Sequence, residues 1–167
     1  DLRKGISERV HFNSSLETRI DLEEVRRYTK ELVETKNIKA LAVCFLHSYI
    51  NPSHESAVVN LVQNEFPNLY VSSSSDVYPN MREFERWTTT AINAYTRPMI
   101  DQYLAKLEKD LEGLGFKGQL YIMTSSGGML SPITARRFPV RLLESGPAAG
   151  MLMSAVQGRT LKLPNIL

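Results

Sequence analysis

The 167-residue sequence holds one cysteine, Cys44, and one tryptophan, Trp87. A lone cysteine excludes an internal disulfide, and its place in the apolar run Leu41-Ala42-Val43-Cys44-Phe45-Leu46 reads as a small buried hydrophobe. No run reaches the ~18 apolar residues that span a bilayer, and no basic-then-apolar signal peptide or starting methionine opens the chain. A soluble, cytoplasmic protein without membrane contact is expected. Charge of one sign is also lacking: Lys+Arg number 20 against 18 Asp+Glu, a net +2, and the signs are interspersed. No basic stripe marks a nucleic-acid partner. Only His11, His47 and His54 are histidines, and none forms an H-x-x-x-H pair or sits beside the cysteine with zinc-like spacing, so no metal site is expected. Both G-x-x-x-x-G-K-[ST] and G-x-S-x-G are absent.

What is present is ordinary globular material, 43% hydrophobic and 23% charged. A chain of this length buries roughly 70% of the surface its unfolded form exposes. Residues 4–20 alternate weakly, with Asn13-Ser14-Ser15 as a turn between two short strands. Asp21 has N-cap chemistry and Glu24 completes a capping box, opening an amphipathic helix through Leu22, Val25, Tyr28, Thr29, Leu32 and Val33 to Asn37. Ile38 to Leu46 has the length and apolarity of a covered strand. Asn51-Pro52-Ser53 opens a second helix with Val58, Val59, Leu61, Val62 and Phe66 facing inward, stopped by Pro67. Leu69-Tyr70-Val71 is a short strand ended by Ser72-Ser73-Ser74-Ser75.

Met81 to Tyr95 reads as helical, Arg97-Pro98 as a boundary or kink, and Met99 to Leu114 as a second helical stretch. Leu120 to Met123 is a strand, Pro132 to Arg137 a short helix, Val140 to Leu143 a further strand, and Ser145 starts a last helix running to about Gln157. Gly113-Leu114-Gly115-Phe116-Lys117-Gly118 matches G-x-G-x-x-G literally, but a helix precedes it and a strand follows, the reverse of a dinucleotide site. Gly113 or Gly115 is therefore expected to end the helix. Leu163 to Leu167 resembles the start of another strand, and both termini read as cuts through a longer chain. Apolar strands alternating with helices predict an α/β fold with a mixed or mainly parallel sheet flanked by helices.

Candidate functional residues follow from position and chemistry. The serine run Ser72 to Ser75 ends a strand, where α/β sheets place binding crevices, although a polar loop is the simpler account of it. His47 follows a buried strand together with Ser48 and Tyr49, at the same kind of edge, although a satisfied structural histidine is the simpler role. Ser125-Ser126-Gly127-Gly128 joins two hydroxyls to two glycines directly after a strand, a loop able to present amide donors to an anion or polar group; a tight turn is the alternative. Gly127→Val is expected to damage a complete enzyme far more than it destabilises the chain. Ser145 can cap the last helix, Pro147 suits its first turn, and Ala148, Ala149 and Gly150 offer a thin, close-packing surface. Arg82, Glu83, Glu85 and Arg86 form either a ligand-facing group or a solvated, salt-bridged helix face.

Six stretches in order resemble the hydantoinase A and 5-oxoprolinase family. They are Gly5 to Val10, Ala42-Val43-Cys44-Phe45-Leu46-His47-Ser48-Tyr49-Ile50-Asn51-Pro52-Ser53-His54-Glu55, Arg82-Glu83-Phe84-Glu85-Arg86, Asn93-Ala94-Tyr95 with Pro98, Ile122 to Gly128, and Ser145-Gly146-Pro147-Ala148-Ala149-Gly150. The resemblance implies part of a lobe of the actin, hexokinase and heat-shock-chaperone ATPase fold. Residues 1–95 would be the C-terminal part of the family's N-terminal region, and 96–167 the start of its hydantoinase A region, ending before the second phosphate loop. Glu144 to Gly150 would then be a hinge or nucleotide-proximal helix start, and Ser125 to Gly128 a ligand-facing loop. The implied activity is ATP- and Mg²⁺-dependent opening of hydantoin, N-methylhydantoin or 5-oxoproline by phosphorylation of the amide oxygen, with a hydantoinase B-type subunit or domain as partner. Neither Asp-Gly-Gly-Thr phosphate loop is in this chain, so the 167 residues alone are expected to hold no ATP and to be inactive. A ketone carboxylase subunit and a non-catalytic ATPase-like interaction lobe are the competing readings.

Overall fold

A computed structural model describes residues 2–163, so the expected strand start at 163–167 lies largely outside the described residues. Two compact units are resolved, Asp1–Pro98 and Met99–Leu167. Among the described residues, strands pair two by two in three small sheets, one parallel and two antiparallel. The α/β class holds, with the pairing divided among these sheets.

The first unit opens with strands β1 (Arg9–Val10) and β2 (Leu16–Thr18), an antiparallel hairpin. Its turn is held by His11 N–H donating to Ser15 O at 2.9 Å, with Ser14 in left-handed backbone at φ 72. Helix α1 (Leu22–Lys36) starts at Asp21, whose carboxylate accepts from the amides of Glu23 and Glu24 and so satisfies two of the helix's orphan donors. The expected capping box does not close. Glu24 accepts instead from Ser7 N–H at 2.7 Å, and Asp21 N–H donates to Ser7 O at 3.3 Å, so a tertiary strap replaces the reciprocal bond.

Strand β3 (Ala40–Val43), helix α2 (Ser53–Glu65) and strand β4 (Tyr70–Ser73) form a βαβ unit with β3 and β4 parallel, Ala40 opposite Tyr70 and Val43 opposite Ser73. The core between them and α1 is aliphatic: Val25, Val43, Val58, Leu61, Val62, Leu69 and Val71. Arg26 of α1 forks onto Glu65 of α2, which holds the Glu65 carboxyl below the ordinary carboxylate range. His54 of α2 meets Glu8 beside the hairpin at 2.7 Å, both side chains buried.

A short helix α3 (Ser74–Val77) follows β4 directly, and α4 (Glu83–Gly113) runs through Pro98 without a break. The boundary expected at Arg97-Pro98 is thus absent as a helix end. Arg97 donates to Val71 O at 2.5 Å and lies over the Tyr70 ring, which anchors the residue that proline tends to push out of helical geometry.

In the second unit, α4 ends in a glycine cap. Gly115 takes φ 79 and Phe116 N–H reaches back to Leu111 O at 3.0 Å, as a Schellman turn requires. The G-x-G-x-x-G match is therefore a helix terminus. Strands β5 (Ile122–Met123) and β6 (Met129–Leu130) form a hairpin, and α5 (Pro132–Arg137) begins at Ser131, whose hydroxyl accepts from Thr134 N–H. The hairpin's second strand carries no signal longer than two residues and is not anticipated from sequence. Arg136 ties α5 to α4 through Asp101 at 2.6 Å. Val140 to Leu143, expected as a strand, lies mostly in a 3₁₀ turn, Pro139–Leu142. Proline at the first position fits that turn, and Arg141 N–H closes it on Phe138 O. The last helix, α6, is Ser145–Leu161.

Replacing Asp21 with alanine is expected to destabilise the first unit by about 1 kcal/mol, read as a shift in urea midpoint at constant m-value.

Candidate functional site

The carboxyl ends of β3 and β4 converge on a fully buried polar cluster. Glu55, in the first turn of α2, is withdrawn from solvent and accepts three hydrogen bonds: from Phe45 N–H at 2.9 Å, Ser74 Oγ–H at 2.6 Å and Ser75 N–H at 2.7 Å. Ser74 has one proton, spent on Glu55, so the 3.0 Å contact between Ser48 Oγ and Ser74 Oγ has Ser48 as donor. The same Ser74 oxygen accepts from Arg86 Nε at 3.2 Å.

Arg86, on α4, is 0% exposed. Its remaining donors reach Asn80 O, Met81 O and Phe45 O, and its guanidinium lies 5.3 Å from the Tyr49 ring centre. A buried carboxylate and a buried guanidinium are thus joined through one hydroxyl, with nearly every lone pair and proton placed. Two turns along α4, Asn93 donates to Ser72 Oγ at 3.1 Å. The serine run accordingly lies in β4 and α3 rather than in a polar loop, with Ser72, Ser73 and Ser74 buried and the Ser72 and Ser74 hydroxyls bonded within the protein.

This network fixes the loop of residues 44–52, in which His47 sits at φ 56, a left-handed conformation uncommon for histidine, and accepts at its carbonyl from the amides of Ile50 and Asn51. The ring's Nδ1 is buried with no hydrogen-bond partner among the described residues. Cys44, next to the cluster and half-buried rather than part of the core, has its thiol pushed up to about 12, first by burial and then by the Glu55 carboxylate.

The charged group at the start of α4 separates into two kinds of residue. Arg82 and Glu85 form an exposed i,i+3 pair at 3.6 Å, and Glu83 is half-buried in the first helical turn. Only Arg86 enters the cluster. Glu55 was not singled out by the sequence reading, yet it falls on the inward i, i+3, i+7 face with Val58 and Val62.

In the second unit the loop of residues 124–128 is a closed hairpin turn. Gly127 N–H donates to Thr124 O, Gly128 N–H to Thr124 Oγ1, and Ser125 N–H and Oγ–H both to Arg141 O. Ser126 Oγ contacts Thr124 Oγ1 at 3.0 Å. The amide donors expected to face a ligand at 125, 127 and 128 are therefore engaged within the protein. Gly127 has φ 82, and a Cβ there would meet Leu152 Cδ1 of α6 at 3.0 Å. Valine at this position strains the fold itself, contrary to the expectation of a mainly functional effect.

Ser145 does not cap α6. Glu144 holds the cap position at φ 64 with no side-chain cap bond, and the first helical bond is Ala148 N–H to Glu144 O at 3.2 Å. Gly146, Pro147 and Gly150 are exposed, while Ser145, Ala148 and Ala149 are half-buried. Leu152 brings α6 against the Gly127 turn, so the two candidate segments of this unit are neighbours. Among the described residues no group of three or more His, Cys, Asp or Glu side chains is clustered for a metal ion, and no helix is long and apolar enough to cross a membrane.

The model of the hydantoinase/oxoprolinase N-terminal region matches residues 1–66, and that of hydantoinase/oxoprolinase matches residues 86–167. The chain belongs to the hydantoinase/oxoprolinase family. It is 36% identical over 133 residues to 5-oxoprolinase 1 of Arabidopsis thaliana, covering 79% of this chain and 10% of that protein. The crystal structure of the ATP-dependent caprolactamase from Pseudomonas jessenii superposes with a TM-score of 0.81 at 29% identity, over 92% of this chain and 23% of that one. Nucleotide-free acetone carboxylase superposes with a TM-score of 0.79 at 25% identity, over 95% and 22%. The chain thus spans less than a quarter of the length of these family members.

Two outcomes test the cluster. Arg86→Met leaves Glu55 buried without its counter-charge and is expected to cost about 3–5 kcal/mol in denaturant unfolding, whereas Arg82→Met costs under about 0.5 kcal/mol. Cys44 is expected to resist iodoacetamide at pH 8 until the chain unfolds. Because its folded-state titration lies above the unfolded one, the folded thiol keeps its proton, and stability falls as pH rises from about 9 towards 12.

Proposed function

We propose that this chain forms part of a longer ATP-dependent enzyme that opens cyclic amides such as hydantoin, N-methylhydantoin or 5-oxoproline. The observation that carries the reading is the higher identity to a 5-oxoprolinase and a caprolactamase, 36% and 29%, than to acetone carboxylase, 25%. The first two are named for lactams, and a lactam shares its unreactive amide with hydantoin.

The described residues do not by themselves fit a triphosphate and Mg²⁺. The amides of Thr124, Ser125, Gly127 and Gly128 are already bonded, Pro147 contributes no N–H to the start of α6, and no carboxylate cluster accompanies either segment. In this proposal ATP and Mg²⁺ are held by other parts of the longer protein. Ser125 to Gly128 and Glu144 to Gly150 form a substrate- or nucleotide-proximal wall; its 124–128 turn is tied internally and to Arg141 O, and preorganisation of this kind favours binding by lowering the ordering cost. His47 is a further proposed site residue, held in a strained loop at the carboxyl edge of the parallel strands. A hydantoinase B-type subunit or domain would complete the assembly.

A second reading, a ketone carboxylase subunit, is favoured by the acetone carboxylase superposition at 0.79, close to the caprolactamase value of 0.81. ADP release by the longer protein with its partner subunit separates the two. Stimulation by hydantoin, N-methylhydantoin or 5-oxoproline, with no turnover by the 167 residues alone, is expected. Substrate-dependent bicarbonate fixation with acetone or acetophenone, or amide opening by the isolated chain, would overturn the proposal.

A further inference from the structure

Helix α6 has no side suited to water. Between Glu144 and Arg159 it carries no charged residue, and residues 150–157, about two turns, are all exposed. Every direction around the axis is therefore uncovered along that stretch. Met151 is 74% exposed and Met153 59%, and at 100° per residue they point about 160° apart, to opposite sides. Leu152 and Val156 face a third side, where Leu152 meets the Gly127 turn and both remain exposed. The least apolar side offers only Gly150, Ser154 and Gln157. A surface helix keeps a charged or strongly polar face for solvent, and a helix without one belongs in a core or a bilayer. No helix among the described residues is long and apolar enough to cross a membrane, which leaves the core.

We propose that α6 is a buried helix of the longer protein, enclosed on opposite sides by other segments of its own polypeptide, one of which crosses the row Gly146, Gly150 and Ser154 at close range. The proposal rests on the longer-polypeptide part of the functional reading and not on which compound is turned over. Two observations select the occupant. A second copy or a docking partner lies against one face of a helix and leaves the other wet, whereas Met151 and Met153 need cover alike. Enough polypeptide exists to supply it: this chain spans 23% of the caprolactamase chain and 22% of the acetone carboxylase chain on which it superposes, so most of such a chain lies outside these residues. The glycines say how near the covering segment comes. Glycine inside a helix is costly relative to alanine, and nothing in this chain asks for it at 146 or 150, where an added Cβ would meet no atom within 4 Å. A backbone passing at that surface gives the missing Cβ a use.

Methionine oxidation by hydrogen peroxide tests the enclosure without any substitution. Trypsin cuts after Arg141 and Arg159, so one peptide, residues 142–159, reports Met151 and Met153 by mass spectrometry. Both are expected to oxidise at least about tenfold more slowly in the longer protein than in the 167-residue chain, with no partner subunit added. Gly150→Leu reads the crossing: the melting temperature of the 167-residue chain does not fall, because the side chain enters open space, and that of the longer protein does, because it meets backbone. Protection of one methionine alone, protection of neither, protection that appears only once the partner subunit is added, or an equal effect of Gly150→Leu in both proteins each overturns the proposal. Neither readout uses ATP or a substrate, so a failed amide-opening assay leaves the result standing.

Discussion

A carboxylate and a guanidinium, both withdrawn from water, meet at one serine hydroxyl. Ser74 gives its proton to Glu55 and receives Arg86 and Ser48 on its oxygen. The geometry leaves little latitude, since burying either charge alone is costly and each is tolerated only while the other is in place. Three segments distant in sequence are thereby tied together: the loop after β3, the turn after β4 and the start of α4. In an α/β unit these are the places where a binding edge is built, so the network that stabilises the first unit also shapes the surface on which the proposed function draws.

The same constraint explains why α4 buries polar residues and leaves Phe84 and Tyr95 exposed. Strand β4 ends in Ser72 and Ser73, and Ser74 opens α3, so hydroxyls face whatever packs there. A helix satisfying Ser72 and Ser74 must turn Asn93 and Arg86 inward, with Thr90 buried between them on the Arg86 carbonyl, and its apolar residues are then left on the far side. Burial of polarity here and exposure of apolarity there are one event, because the helix has only two faces. In the second unit the pattern differs. The 124–128 turn closes on itself and on Arg141, and α6 leaves Met151 and Met153 largely in solvent.

Much of the fold was legible in the chain because periodicity and end signals agree with tertiary packing. Asp21 and Asn37 bound α1, Pro52 and Pro67 bound α2, and Ser131-Pro132 opens α5, each by chemistry that works within a few residues. The α/β class and the family followed from the order of elements and the six matching stretches. Long-range demands were not legible. Glu24 satisfies Ser7 instead of its own cap, Arg97 holds α4 helical through Pro98, and Pro139 turns a strand-like run into a 3₁₀ turn. The candidate site was legible only in part. Arg86 stands in a charged group whose other members stay outside the cluster, and sequence alone gives Glu55 no mark although its spacing with Val58 and Val62 places it inward. A single glutamate on an apolar face becomes informative only when its donors are known, and those come from residues 45, 74 and 75.

The most direct measurement is a double-mutant cycle between Glu55 and Arg86, using Glu55→Gln, Arg86→Met and both together, with unfolding free energies from urea titration of the chain. Coupling through Ser74 predicts that the double variant recovers more than about 1 kcal/mol relative to the sum of the single losses, because removing both charges removes the stranded one. Additivity within about 0.3 kcal/mol would contradict the account, leaving Glu55 and Arg86 as separate contributors and Ser74 as a bystander.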